Sequence, residues 1–151
     1  MQNMNNTWDK RYLRLAQHIG AWSKDPSTQV GAVIIAPETG QVLSQGYNGF
    51  PRGIEDSDKR YANRDEKLSR TVHAEMNAVY NASLSGISLN GGTLYVHGLP
   101  ICEQCSLGII QVGIKKVVVT DSPVDQKWQT SCAHAQTNLM EAGVAYEIVK
   151  I

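Results

Sequence analysis

Four side chains in the middle of the chain combine metal-binding and proton-transferring chemistry. His73 and Glu75 are separated by one residue, and Cys102 and Cys105 form a C-x-x-C pair. An imidazole and two thiolates are ligands that Zn²⁺ prefers, and the helix dipole favours thiolates at a helix N-terminus. Three protein ligands with one open position describe a catalytic zinc site, because a structural zinc is usually closed by four. We therefore predict that His73, Cys102 and Cys105 bind a zinc ion.

Glu75 is the candidate proton carrier. Because it lies two residues from His73, its side chain diverges from the histidine on a regular helix and stands beside the metal rather than on it. There a carboxylate can take a proton from zinc-bound water, whose pKa falls to about 7, and hand it on. H-x-E followed by P-C-x-x-C, with a glutamate that is not a ligand, is the signature of zinc nucleobase deaminases. This chain departs from it at Ile101, inserted between Pro100 and Cys102, which keeps the Cys spacing and alters the loop before it.

Hydrophobic periodicity predicts the elements that must position these side chains. In chain order they are a helix with Thr7 as N-cap, a hairpin of strands 29–36 and 41–46, a helix over 72–82, a strand at 93–96, a helix over 102–112, a strand at 116–120, a helix over 125–142 and a strand at 144–151. Glu55–Arg70, with ten charges in sixteen residues, is predicted to be a solvated loop or an exposed helix. Alternating strands and helices predict an α/β fold with a mixed five-stranded sheet, an N-terminal hairpin and parallel strands 4 and 5.

Composition and charge exclude several classes of protein. The 151 residues carry 14 Lys and Arg against 14 Asp and Glu, a formal net charge of +0. Proteins that bind long nucleic acids usually carry an excess of basic residues, so we expect no long nucleic acid as a partner. A small-molecule substrate is compatible with this charge balance. The apolar runs are far below the roughly 20 residues of a membrane span, and residues 1–6 lack the apolar stretch of a signal peptide. The odd number of cysteines argues against a secreted disulfide framework. Together these features predict a single cytoplasmic domain over residues 1–151.

Several stretches besides the zinc motif resemble deoxycytidylate (dCMP) deaminases of the cytidine deaminase superfamily. They are SKDPSTQVGA at 23–32, GYNGFPRG at 46–53, HAEMNA at 73–78 and IIQVGI at 109–114. The zinc motif indicates the superfamily, and the first two stretches narrow the resemblance to dCMP deaminases. The resemblance implies a three-layer α/β/α cytidine-deaminase-like fold and one Zn²⁺ per subunit. It also implies hydrolytic deamination of dCMP to dUMP, in which Glu75 moves protons to N3 and to the departing ammonia.

The resemblance further implies a set of residues around the substrate. The backbone N–H of Ala74 would contact the base carbonyl, a carbonyl near Leu99–Pro100 would meet the exocyclic amine, and Asn48 would contact the sugar. Trp128 would stack on the base. The predicted substrate set is Ser23, Lys24, Thr28, Asn48, Ala74, Leu99, Pro100 and Trp128.

The resemblance also implies regulation. Such enzymes are typically homohexamers that dCTP activates and dTTP inhibits, at an interface built around the glycine-rich motif. The effector residues predicted on this basis are Gly46, Tyr47, Asn48, Gly49, Phe50, Arg52 and Gly53. Mg²⁺ is a candidate companion of the effector triphosphate.

Other interpretations remain open from the residues alone. The chain is alternatively a deaminase of another cytosine nucleoside or nucleotide or of a tRNA base, or a non-catalytic zinc module that binds dCTP or dTTP. The glycine-rich motif is alternatively a plain exit from the hairpin, and Asn48 a residue that tolerates a left-handed turn. Lys24 is alternatively a surface charge, and Trp128 a core residue.

Overall fold

The structure is a computed structural model that describes residues 2–151, with side chains from residue 7 onward. The expectation about a signal peptide concerned residues 1–6, whose side chains lie outside the described residues. The helices are α1 (Gln2–Gly20), α2 (Asp58–Ala62), α3 (Arg64–Arg70), α4 (Ala74–Ser85), α5 (Glu103–Gln111) and α6 (Gln129–Glu141). The strands are β1 (Gly31–Ile35), β2 (Val42–Tyr47), β3 (Thr93–His97), β4 (Lys116–Thr120) and β5 (Ala145–Val149).

The five strands form one mixed sheet in the order β2-β1-β3-β4-β5. β1 is antiparallel to both β2 and β3, whereas β3, β4 and β5 are parallel to one another. Parallel neighbours need a crossover, and α5 and α6 supply the two crossovers. The predicted mixed five-stranded sheet, its hairpin and its parallel strands 4 and 5 are confirmed.

Each face of the sheet buries its own apolar cluster. Side chains alternate along a strand, so Val33, Tyr95 and Val118 pack under α1, where Leu13 is fully buried. The opposite face packs against α4, α5 and α6. Its buried residues include Ala32, Ile34, Leu94, Val96, Ala78, Ile109 and Leu139. Full burial of each large aliphatic side chain contributes about 1.5–3 kcal/mol, which fixes the three-layer α/β/α arrangement.

The starts of the first and last helices were predicted wrongly, and the charged segment, predicted as a solvated loop or an exposed helix, is largely helical. α1 begins at Gln2 rather than after Thr7, because the residues before Thr7 include no helix-breaking Pro or Gly. The last helix is divided: Asp125 caps a 3₁₀ turn at Gln126–Trp128, and α6 follows. The charged segment folds into two short helices because Ser57 and Asn63 accept hydrogen bonds from the backbone at their N-termini. Every described helix is too short or too polar to pass through a lipid bilayer.

Candidate functional site

Two helix N-termini carry the candidate metal ligands. His73 is the N-cap of α4 and Cys102 is the N-cap of α5, both with extended backbone angles. His73 makes no capping hydrogen bond with its side chain, so its imidazole stays available for another partner. Cys102 Sγ accepts from the backbone N–H of Cys105, one turn into α5. The positive end of each helix dipole therefore faces the place where thiolates would lie.

The three predicted ligands meet in one cluster, which we call the metal cluster. His73 Nδ1 lies 3.3 Å from Cys105 Sγ and 3.4 Å from Cys102 Sγ. One ligand atom from each residue lies within 4.8 Å of the others. Tetrahedral zinc with ordinary Zn–N and Zn–S bonds would hold such N and S atoms about 3.6 Å apart. The donor set and its spacing thus fit Zn²⁺.

Electrostatics within the metal cluster favour a thiolate at Cys102. Hydrogen bonding from the Cys105 thiol and from His73 lowers the pKa of Cys102 to about 4. Donating to that thiolate, together with burial, raises the pKa of Cys105. The hydrogen bond with Cys102 raises the pKa of His73 in turn. Binding of a metal would release the protons that these side chains still carry.

Glu75 lies beside the metal cluster without being part of it. Its side chain is buried with 4% exposure, in the first turn of α4, and it interacts with the Cys105 thiol. Burial raises the pKa of its carboxyl group, which the positive charge of His73 partly offsets. A carboxylate with a raised pKa suits both uptake and release of a proton near neutral pH.

The predicted substrate residues of the first loop form a hydrogen-bonded network. We call residues 23–30 the nucleotide loop. Ser23 Oγ donates to the carbonyl of Asn48 at 2.7 Å, and Asn48 Nδ2 donates to the carbonyl of Thr28 at 2.9 Å. Asn48 Oδ1 accepts from the N–H of Val30 at 2.9 Å. The structure therefore brings Ser23, Thr28 and Asn48 together, with the Asn48 amide engaged by the backbone of the loop.

A short backbone bridge connects this network to the metal cluster. Gly49, next to Asn48, pairs with Val72, which directly precedes His73. The N–H of Gly49 donates to Val72 O at 3.1 Å, and the N–H of Val72 donates to Gly49 O at 2.8 Å. Asn48 and His73 are thus held on adjacent backbone segments.

The loop after β3 explains the extra residue before Cys102. Ile101 is 1% exposed and belongs to the core on the α4–α6 face of the sheet, while Leu99 is exposed and Pro100 half-buried. Gly98 has φ +121, and a Cβ there would lie 2.5 Å from the carbonyl oxygen of Gln29. Only glycine therefore allows this loop to pass so close to the nucleotide loop. The inserted Ile101 is an anchor in the core, and the cysteine pair keeps its place at the N-terminus of α5.

Two other predicted substrate residues are exposed. Lys24 pairs with Asp56 at 3.0 Å, and both side chains are about half exposed or more, at 60% and 48%. Trp128 is 45% exposed, so it is not a core residue, and the ammonium of Lys127 lies 5.8 Å from its ring centre.

The glycine-rich loop, Gly46–Gly53, borders an open groove of about 380 Å³. Its lining includes Trp22, Tyr47, Phe50, Arg52 and Tyr80. Trp22 and Tyr47 meet edge to face, and the Arg52 guanidinium hydrogen-bonds to Asn81 on α4.

Gly46 itself serves helix packing. A Cβ on Gly46 would lie 2.5 Å from Ala78 N and 2.7 Å from Ala74 O, so this glycine lets β2 approach the backbone of α4. Gly53, with φ +84, has free space around it and lies at the exposed side of the loop.

Sequence reasoning missed Asp25 and Lys67. Asp25 is buried, and its carboxylate forms an ion pair with Lys67 at 2.8 Å, between the nucleotide loop and α3. The signal for Asp25 was its place before Pro-Ser-Thr, where an Asp side chain commonly accepts from the backbone two residues on. Lys67 carried no such signal, because it is one of ten charges in the segment 55–70.

Comparisons with known proteins point in one direction. The family model described as the cytidine and deoxycytidylate deaminase zinc-binding region matches residues 6–121. An uncharacterized deaminase from the luxG 3′ region of Aliivibrio fischeri is 39% identical over 146 residues, which cover 93% of this chain and 92% of that protein. The deoxycytidylate deaminase of Mus musculus is 34% identical over 144 residues, covering 92% of this chain and 78% of the mouse protein.

A solved structure adds a match in three dimensions. The crystal structure of dCMP deaminase from the cyanophage S-TIM5 in complex with dCMP and dUMP superposes with a TM-score of 0.77 at 26% identity. The match covers 93% of this chain and 95% of the cyanophage chain.

Proposed function

This chain belongs to the family of cytidine and deoxycytidylate deaminases and is a zinc-dependent deaminase, and we propose that it hydrolyses dCMP to dUMP and ammonia. The observation that carries the proposal is the metal cluster, with the buried carboxylate of Glu75 beside it. We assign His73, Cys102 and Cys105 as the zinc ligands and Glu75 as the catalytic acid and base. Residues 1–151 would act as a single deaminase domain.

The chemistry needs an activated water and a proton carrier. Zn²⁺ bound by the metal cluster would activate a water molecule for attack at C4 of cytosine. Glu75 would take a proton from that water and deliver it to N3, and a second transfer through Glu75 would accompany the departure of ammonia. Its buried position would shield the transferred proton from solvent.

Backbone groups beside the metal cluster would orient the base. Ala74 is the first residue of α4, so the helix itself does not use its N–H, which we assign to the O2 carbonyl of the base. A carbonyl of Leu99 or Pro100 would accept from the exocyclic amine. Trp128, exposed near the start of α6, would cover the ring.

The nucleotide loop would hold the sugar and phosphate. Ser23, Thr28 and Asn48 meet there, and Lys24 supplies a cation at its solvent side. The formal net charge of +0 suits a free mononucleotide better than a polynucleotide, which needs clustered cations. Relatives named deoxycytidylate deaminase, and the cyanophage enzyme solved with dCMP and dUMP, support dCMP over cytidine.

The deciding measurement is ammonia release from dCMP, deoxycytidine and CMP under identical conditions. We expect a kcat/KM for dCMP at least about tenfold above that for deoxycytidine, which lacks the phosphate, since one charge-assisted phosphate contact is worth that much. CMP keeps the phosphate and adds a 2′-hydroxyl, so its kcat/KM, which we also expect to be lower, measures selection at the sugar. Equal values for all three would remove the assignment of dCMP. A salt-sensitive gel shift with tRNA would favour a tRNA-base deaminase, and tight dCTP binding without any turnover would favour a non-catalytic module.

We further propose that this enzyme is regulated and assembled as the resemblance implies: a cytoplasmic homohexamer, activated by dCTP and inhibited by dTTP, with Mg²⁺ a candidate companion of the triphosphate. The glycine-rich loop borders an open groove with aromatic walls and one guanidinium, which supports a nucleotide effector there. Turnover of dCMP with and without dCTP and dTTP, and the mass of the assembly in solution, test these points separately.

A further inference from the structure

Among the ion pairs of the described residues, the one between Lys67 and Asp25 is the most buried, with side-chain exposures of 18% and 4%. We propose that Lys67 is a positioning residue for substrate binding: its ammonium neutralises Asp25 and thereby fixes the nucleotide loop. The inference rests on the proposed function, because it assigns substrate binding to that loop.

Asp25 organises the nucleotide loop from inside. Its Oδ1 accepts from the N–H groups of Ser27 at 2.8 Å and Thr28 at 3.2 Å. The same oxygen receives the ammonium of Lys67 at 2.8 Å, and Oδ2 faces the Asn48 amide at 3.5 Å. Because the side chain is 4% exposed, the carboxylate depends on these donors rather than on water.

Hydrogen bonds from Thr71 hold the backbone of Lys67 in place. Its carbonyl accepts from both the N–H of Thr71, at 3.0 Å, and the hydroxyl of Thr71, at 2.7 Å. Thr71 leads into Val72, the residue that bridges to Gly49 and precedes His73. The ion pair therefore ties the nucleotide loop to the same stretch of backbone that carries the metal cluster.

Removing the ammonium leaves a buried carboxylate without a compensating charge. Such a group is costly, so it draws in water or a proton, and the hydrogen bonds around it rearrange. The loosened loop then loses its hold on Asn48 and on the nucleotide. Binding of the ground state and of the transition state weakens equally, which raises KM and leaves kcat nearly unchanged.

The test compares variants of the purified, zinc-loaded full chain. We expect Lys67→Met to raise KM for dCMP about tenfold with kcat within about twofold, and Lys67→Arg to restore most of the affinity. Lys59→Met is the matched control, because Lys59 is an exposed lysine of the same charged segment, and it should leave KM unchanged. Hydrogen exchange should accelerate at the amides of Ser27 and Thr28 in Lys67→Met and not in Lys59→Met.

The double variant Lys67→Met/Asp25→Asn keeps the proposal testable if Lys67→Met alone does not fold. It removes the uncompensated charge, so we expect it to fold and to have a KM for dCMP no more than about tenfold above that of the wild type. Wild-type KM and exchange in the double variant, or in Lys67→Met where it folds, would overturn the positioning role. Where Lys67→Met and Asp25→Asn both fold, additive effects of the two substitutions on KM would overturn it too. A third outcome separates the two proposals. If the wild-type protein does not turn over dCMP but hydrogen exchange still accelerates in Lys67→Met, the coupling of Lys67 to the nucleotide loop stands and the proposed substrate is overturned.

Discussion

The metal cluster and the glycine-rich loop are neighbours, joined through the Gly49–Val72 bridge, but the chain builds them in different ways. In the metal cluster, each candidate ligand lies at or within the first turn of a helix and contacts another candidate ligand directly. In the glycine-rich loop, Gly46 is used to pack β2 on α4, and exposed aromatic side chains border an open groove. Side chains of the first region therefore contact one another, whereas those of the second border a groove that stays open.

Loss of the metal is expected to reduce turnover more than any other change to either region. Cys105→Ser takes away a buried ligand that contacts His73 and lies beside Glu75. We expect the variant to purify with less than about one-tenth of the zinc and with turnover at background, since serine is a poor zinc ligand at neutral pH. Cys132→Ser, which replaces a half-buried cysteine outside the cluster, is the matched control and should keep its zinc. Full zinc content in Cys105→Ser would contradict the assignment of the ligands.

Glu75→Gln separates the proton carrier from the ligands. The amide matches the carboxylate in size, so we expect zinc content to stay at the wild-type level. Turnover should fall by about 10²–10⁴-fold, the usual contribution of general acid–base catalysis. Zinc analysis and single-turnover rates on the same preparation measure both quantities. Retained turnover would show that another group carries the proton.

Gly46→Ala tests the different use of glycines in the second region. The new methyl group would lie 2.5 Å from Ala78 N, a backbone atom that cannot move alone, so β2 must shift from α4. We expect a loss of about 3 kcal/mol in the free energy of unfolding, measured in urea. Gly53→Ala meets no atom within 4 Å, and only its φ of +84 opposes a side chain, at a cost of about 1–2 kcal/mol. Equal losses in the two variants would refute the packing role of Gly46.

The sequence was sufficient where chemistry depends on short spacing. His73 and Glu75 lie within one helix turn, and so do Cys102 and Cys105. Their spacing was therefore readable from the sequence, and the fold had only to bring the two turns into contact. The sheet order followed in the same way from strands that alternate with helices. Ile101 and Lys67 could not be interpreted, because their roles depend on contacts with distant parts of the chain, a core on one side of the sheet and a carboxylate 42 positions away.

Boundaries were predicted less well than elements. The division of the last helix depends on local capping that competes with helix continuation, whereas α1 starts early because no Pro or Gly interrupts the residues before Thr7. Asp125, for example, accepts from the N–H of Lys127 and closes a 3₁₀ turn before α6 begins. Asn48 shows the same limit at the site: its amide is engaged by Thr28 and Val30, an arrangement that only the folded loop creates.

Arg52→Met carries the smallest expected effect and bears most directly on what the open groove binds. Arg52 lines the groove and is held by Asn81 of α4, so its positive charge is fixed where the proposed effector would lie. Losing one charge-assisted contact should raise the dCTP concentration for half-maximal activation about tenfold. Arg64→Met, at an exposed arginine on α3, is the control and should leave that concentration unchanged. An unchanged half-maximal dCTP concentration in Arg52→Met would mean that the guanidinium does not meet the triphosphate, and the groove would lose its charge argument.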